Sequence, residues 1–369
     1  MTLRSIAASA LSIPFKLTFR HAAAARAATQ ALWVVAEGED GARGFGEGCP
    51  REYVTDESVA SAQRFVDAHR AAWLAEIRDV PSLRDWVRDH RSEIDANPAA
   101  WTAVELAVLD LLGRQQRKAL EPLLGLPPLG GRFRYTAVLG DAAPAAFAAE
   151  LARYRQAGFR DFKVKLAGGA ARDSAKVRAL EAAGIAPQSV RADANNLWQG
   201  QEAAIEALRA LRFPFFAVEE PLQAADYAGM AGIADALDAK IILDESMARP
   251  AQLDALPAPA SRWLVNLRVS KMGGALRSLE FLDRARQHGA GIIVGAHVGE
   301  TSVLTRAALA VASAAGDSLV AQEGAFGTHL LERDVAEPPL MFGAGGVLDT
   351  DAFPALDAPG LGLEIREAA

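Results

Sequence analysis

From residue 130 onward, short apolar or β-branched runs recur at steps of about 25 residues, the length of one βα unit. The candidate strands are Tyr135–Leu139, Phe162–Leu166, Val190–Asp193, Phe216–Glu219, Ile241–Asp244, Leu264–Arg268, Gly291–Ala296 and Leu319–Glu323. Amphipathic Ala-rich stretches such as Ser174–Ala183 and Gln201–Leu211 separate them. Strand–helix alternation at this spacing calls for a parallel sheet, and eight such strands predict a closed α/β barrel. A doubly wound open sheet is the other arrangement, but the glycine fingerprint after its first strand is missing. From the second strand on, each run ends at an ionisable residue: Lys163 and Lys165, then Asp193, Glu219, Asp244, Arg268, His297 and Glu323. In a barrel the carboxyl ends of the strands meet at one mouth, so these residues are expected to meet in space.

Ahead of the barrel the pattern differs. Residues 1–48 read as strands, with Ala31–Ala36 β-rich, a turn at 37–41 and Gly44-Phe45-Gly46-Glu47-Gly48 after it. Residues from about 55 to 120 read as helices, Trp101–Leu120 most clearly, and the Gly/Pro-rich stretch 124–131 marks a domain boundary. The expected division is an N-terminal α+β domain over 1–129, completed by about 345–369, and a barrel over 130–344. The first residues could be mistaken for a signal peptide. Their apolar part is short, Pro14 and Lys16 break its continuation, and Ile6, Ala8 and Ala10 alternate as in an edge strand. No apolar run is long enough to span a bilayer. A formal net charge of −7 disfavours nucleic acid and anionic membranes as partners. The single cysteine, Cys49, excludes an internal disulfide and a cysteine-rich metal cluster, and fits the cytoplasm.

Asp193, Glu219 and Asp244 close three successive strands. One such acid could simply cap a helix. Three at one mouth repel each other unless a hard, oxygen-loving cation such as Mg2+ (or Mn2+) lies between them. Lys163 and Lys165 flank Val164 and share one side of their strand. Two ammonium groups there are expected to lower each other's pKa toward that of a base. The chain lacks a P-loop, G-x-S-x-G and H-E-x-x-H.

These residues resemble the enolase superfamily, most closely its muconate lactonising subgroup. Phe162-Lys-Val-Lys-Leu166 is similar to the K-x-K motif of the second barrel strand and Asp193-Ala-Asn195 to D-x-N on the third. Val218-Glu-Glu-Pro221 is similar to E-x-P, Leu243-Asp-Glu-Ser246 to D-E-S, and Asn266–Gly274 to the sixth-strand motif. Gly46-Glu47-Gly48 and Ala103–Asp110 resemble the capping domain. The resemblance implies a (β/α)7β TIM-like barrel with an α+β cap, and Mg2+ on Asp193, Glu219 and Asp244. It also implies Lys165 as acid/base, with Lys163 and Asn195 assisting and Lys271 bracing a metal-site carboxylate. A small-molecule carboxylate is the implied substrate, and a homo-oligomer the implied assembly.

One departure bears on the reaction. The subgroup has a second catalytic lysine on the sixth strand, where this chain has Arg268. Arginine keeps its proton and is a poor base, so Arg268 is expected to hold an anion. The leading expectation is therefore a one-base lyase, cycloisomerase or dehydratase working through an enediolate, like muconate cycloisomerase or o-succinylbenzoate synthase. The alternative is a racemase or epimerase of an amino acid, dipeptide or hydroxy acid with His297 as second base. A non-catalytic metal- or carboxylate-binding protein is the alternative of another class. Substrate contacts are expected from Glu300 and Glu323 at the last strand ends, which either meet a cationic group or balance Arg268. Two cap loops add His21, Arg26 and Tyr53.

Overall fold

A computed structural model describes the backbone of residues 3–21 and 24–366, and the side chains of all of these but 17–21, 24 and 25. The N-terminal strands are β1 (Leu3–Leu11), β2 (Pro14–His21), β3 (Ala24–Ala28), β4 (Ala31–Gly38) and β5 (Arg43–Gly48). In β4, Leu32, Val34 and Ala36 are buried at alternate positions, and β4 sits between β1 and β5 in an antiparallel sheet, so β1 is an edge. Helices α1 (Glu52–Thr55), α2 (Val59–Glu76), α3 (Val80–Asp89), α4 (Arg91–Ala96), α5 (Pro98–Gln116) and α6 (Leu120–Leu124) come next. Helix α5 is buried on every side from Pro98 to Gly113, the mark of a central helix. It packs on β5 backbone to backbone. A Cβ built on Gly44, Gly46 or Gly48 would fall within 2.2, 1.9 or 1.9 Å of the carbonyl oxygens of Ala107, Ala103 and Ala99. Side chains alternate along a strand, so the three glycines face α5 while Glu47 points the other way.

The barrel portion contains β6 (Arg132–Arg134), β7 (Ala137–Leu139), α7 (Pro144–Gln156), β8 (Phe162–Lys165), α8 (Ala170–Ala182), β9 (Val190–Asp193), α9 (Gln201–Ala210), β10 (Ala217–Glu219), α10 (Tyr227–Leu237) and β11 (Lys240–Leu243). It continues with β12 (Trp263–Arg268), α11 (Val269–Met272), α12 (Ala275–His288), β13 (Gly291–Gly295), α13 (Ser302–Ala315), β14 (Leu319–Gln322) and β15 (Val347–Asp349). Strands β7 to β14 run parallel in sequence order, and a bridge from Tyr135 to Gln322 joins the first to the last. The eight strands foreseen from the sequence are all present. Val190–Asp193 has the same bounds, and the others shift by one or two residues. One half of the interior is apolar, with Ala217, Ile242, Leu264, Ile293 and Ala321. The other half carries buried Lys163, Arg191 and Gln322.

Later segments return to both parts. Strand β15 pairs with β6, while Ala119 bridges Gly360 and Asp110 accepts from the Leu361 N–H at 2.7 Å. Among the described residues no helix is long and apolar enough to cross a membrane.

Candidate active site at the barrel mouth

Register fixes which side chains share the mouth. Asp193 and Glu219 are opposed across β9 and β10, and Glu219 is opposed to Ile242 of β11. Asp244 stands two residues beyond Ile242, on the same face. All three acids are buried. Lys163 and Lys165 enter from β8, with Lys165 opposed to Asp193.

Two networks fill the mouth. In the first, Lys163 Nζ lies 2.6 Å from Glu219 Oε2, 3.1 Å from Glu323 Oε2 and 3.4 Å from Asp193 Oδ2. Lys165 Nζ is 2.7 Å from Asp193 Oδ2 and 2.8 Å from Asn195 Oδ1. Asn195 has a left-handed φ of 46°, a conformation asparagine tolerates better than most residues, and its N–H reaches back to Asp193. In the second network Arg268 binds Asp244 through Nη2 and lies 3.2 Å from His297 Nδ1 through Nη1. Lys271 Nζ holds both the carbonyl of Asp244, at 2.6 Å, and its Oδ1, at 3.0 Å. Glu300 accepts from the His297 N–H at 2.6 Å. Asn266 approaches the first network, its Nδ2 lying 3.2 Å from Glu219 Oε1.

Two expectations are corrected here. The paired lysines do not depress Lys163. Burial pulls it down, but Glu219, Glu323 and Asp193 pull harder and hold it well above the usual lysine value. Three carboxylates around one ammonium outweigh a second ammonium two residues away. Glu323 does not balance Arg268. It is turned inward to Lys163, with Arg191 3.7 Å from its other oxygen.

His297 is held well below the ordinary histidine value, first by burial and then by Arg268, Arg51, Lys271 and Arg26. Arg268 is raised: burial opposes its charge, but Asp244, Glu245 and Glu219 more than offset that. Burial pushes Glu300 up to about 8. It does the same to Glu219, assisted by Asp193, Glu323 and Asp244 and opposed by Lys163.

Among the described residues no three acidic or histidine side chains close around a common metal-sized centre. Lys163 bridges Asp193 and Glu219 instead, and Arg268 pairs with Asp244. The donors nevertheless suit a hard cation. All are carboxylate oxygens, and Glu219 is buried among acids that disfavour its charge. A divalent ion relieves that conflict.

The cap residues assemble beside the second network. The Arg26 guanidinium lies 5.9 Å from the Tyr53 ring centre, and burial, then Arg51, lowers its pKa. Arg51 is buried and donates to the carbonyls of Gln30, Pro50 and Val298, the last adjoining His297. His21 lies in β2, with its side chain outside the described residues.

Several supports escaped the sequence reading. Glu220, in the left-handed region at φ 40°, accepts from the N–H groups of Asp244 and Ser246 and from the Ser246 hydroxyl. It thereby sets the end of the fifth strand. Lys176 donates to the Lys165 carbonyl at 2.7 Å. Arg191, buried in the barrel, joins Thr136 and Asp161. The available signal for Arg191 was its inward phase, two residues before Asp193.

Residues 146–369 match the enolase C-terminal domain-like family. An N-succinyl-L-Arg/Lys racemase of Bacillus cereus is 26% identical over 376 residues, covering 100% of this chain and 96% of that protein. A hydrophobic dipeptide epimerase of Enterococcus faecalis is 26% identical over 316 residues, 85% of this chain and 88% of its own. The crystal structure of the Bacillus cereus racemase superposes with a TM-score of 0.83 at 25% identity, covering 99% of this chain and 96% of that one. The Enterococcus faecalis dipeptide epimerase, complexed with Mg and L-Leu-L-Tyr, superposes with a TM-score of 0.84 at 25% identity, covering 99% and 100%.

Proposed function

The chain belongs to the enolase C-terminal domain-like family, and on that premise we propose that it is a Mg2+-dependent racemase or epimerase. Its substrate would be an amino-acid derivative, a dipeptide or an N-acylated amino acid, inverted at the carbon next to a carboxylate. The relatives are racemases and epimerases, which moves the weight from one-base elimination to the two-sided alternative.

One observation carries the reading. In the eight-strand ring β8 and β12 are four strands apart, so Lys165 and Arg268 stand on opposite sides of the mouth, with His297 beside Arg268. A substrate between them meets a proton-transfer group on each face. Lys165 takes the α-proton from one enantiomer while the Nε2–H of His297 supplies a proton to the opposite face, and Arg268 at Nδ1 balances the charge left on the ring; in the reverse reaction the ring recovers that proton and Lys165 returns its own. Arg268, held protonated by Asp244 and its neighbours, orients the imidazole and stabilises negative charge on the substrate. Lys163 tethers Glu219, Glu323 and Asp193, and Lys271 fixes Asp244. Asp193, Glu219 and Asp244 would hold Mg2+, which supplies Lewis-acid stabilisation of charge on the substrate carboxylate. Arg26 and Tyr53 are assigned to the far end of the substrate.

Incubation with both enantiomers of candidate substrates in deuterated water tests the proposal. A racemase exchanges the α-proton of both. Exchange or elimination from one configuration alone returns the reading to one-base chemistry, which the firmly protonated Arg268 favours.

A further inference from the structure

Two buried carboxylates of the N-terminal part reach out of it and end on barrel helices. Glu47 of β5 accepts from the Thr301 N–H through both oxygens at 3.1 Å, from the Thr301 hydroxyl at 2.6 Å and from the Leu304 N–H at 3.4 Å. These groups open α13, and His297 and Glu300 lie just before them. Glu105 of α5 accepts from the Leu276 N–H at 3.0 Å and is held from behind by the Trp101 indole at 3.2 Å. Leu276 opens α12, which comes after Arg268 and Lys271. Helix α12 has no side-chain cap of its own, since its N-cap is Gly274. That glycine has φ +100°, and a Cβ there would fall 2.4 Å from Glu105 Oε1. Both carboxylates are fully buried and sit where the helix dipole favours an anion.

The same two segments carry further anchors. The Cys49 N–H donates to Ser270 Oγ at 2.8 Å, and Thr102 Oγ1 lies 3.4 Å from the Val269 carbonyl. Between the anchored segments, and touching neither carboxylate, Arg268 meets His297.

We propose that Glu47 and Glu105 are positioning residues. They act through the backbone of α13 and α12 to hold His297 against Arg268, and so set one face of the site and leave the Lys165 face to the barrel strands. The catalytic consequence rests on the racemase reading; the geometric one does not. The pairing of the two anchors with the two strands that build the second face is what distinguishes this role from general cohesion. Lys165 has its own brace in Lys176, within the barrel.

The test compares Glu47→Ala, Glu105→Ala and the corresponding Gln variants, each first shown to be folded by thermal melting. Nitrogen-15 spectra of the six histidines, with His297 assigned through His297→Gln, report the imidazole directly. The expected result is a displaced His297 resonance in both Ala variants, with the other five unmoved, and substantial recovery with Gln, which keeps one acceptor oxygen. In parallel, α-proton exchange on the His297 face is expected to fall roughly 10- to 100-fold while the Lys165 face is retained. If an Ala variant does not fold, its Gln counterpart carries the comparison, with a smaller displacement in the same resonance. Folded variants with an unmoved His297 signal overturn the proposal, as does an equal loss on both faces. If the parent protein exchanges neither enantiomer, the racemase reading fails and the histidine spectra alone decide this one.

Discussion

Arg268 joins Asp244 of the fifth strand to His297 of the seventh, with Nη2 on the carboxylate and Nη1 3.2 Å from the ring Nδ1. The guanidinium can only donate, so Nδ1 accepts and the neutral ring carries its proton on Nε2. That atom is buried and has no hydrogen-bond partner among the described residues. Replacing Arg268 by Met removes a cation that, after burial, does most to hold His297 uncharged. The His297 pKa is expected to rise, read by an NMR titration of the ring. Turnover should fall about 100-fold, the order seen when a charge-stabilising donor is lost.

Lys165→Ala and His297→Gln are expected to separate the two half-reactions. Each should lower racemisation by roughly 100- to 10,000-fold, the usual worth of a positioned acid or base. Each should also leave exchange of one enantiomer only, and not the same one. Mass spectrometry of both enantiomers in deuterated water checks this. Loss of both exchanges in both variants would speak against independent bases.

Mg2+ should raise the melting temperature, because a ligand that binds only the folded chain stabilises it by mass action. Asp193→Asn is expected to abolish that rise and to weaken Mg2+ binding in calorimetry. Chelation should remove activity and return the melting temperature of the parent to its metal-free value.

Away from the mouth, Arg306 forms two 2.6 Å contacts with Glu121, both side chains buried. Arg306→Met leaves that carboxylate unpaired and should cost about 3–5 kcal/mol in urea unfolding. Glu121→Leu combined with Arg306→Met should recover most of the loss.

Glu57 gives a pH signature. It accepts from the N–H groups of Ala99 and Ala100 at 2.9 Å, but burial outweighs those bonds and pushes it from 4.5 to about 7. Between those values the folded chain keeps a proton that the unfolded chain has released. This group's contribution is thus present at pH 4.5 and is lost as pH rises through 7. Glu57→Gln is expected to flatten the fall in melting temperature between pH 5 and pH 7.5.

The strands and the mouth residues were legible because a buried parallel strand is a compact apolar run and its final ionisable residue stands out against it. Helix α5 was placed at Trp101–Leu120 but runs from Pro98 to Gln116. Pro98, at home in a first turn, was the overlooked start signal, and Arg117 in the left-handed region at φ 53° is the stop. The charge state of Lys163 was misjudged because Glu219, Glu323 and Asp193 close around its ammonium, where the sequence reading had set the acids on a metal or beside Arg268. Arg191, inside the expected strand Val190–Asp193, was not singled out in the sequence. Its partners Thr136 and Asp161 are neighbours only once the barrel forms.

Asp110 has a consequence for the order in which the molecule is completed. Its Oδ2 accepts from Phe45 of the N-terminal sheet and its Oδ1 from Leu361, which is 251 positions further on. Synthesis delivers the early sheet and α5 long before residue 361 exists, so the aspartate, already paired with Arg114 Nε at 3.1 Å, waits without its third partner while the entire barrel is made. Contacts of such long range form late and slowly. The first part to be translated is therefore among the last to be finished, and excised as a separate piece it would lack the Leu361 bond that completes this carboxylate.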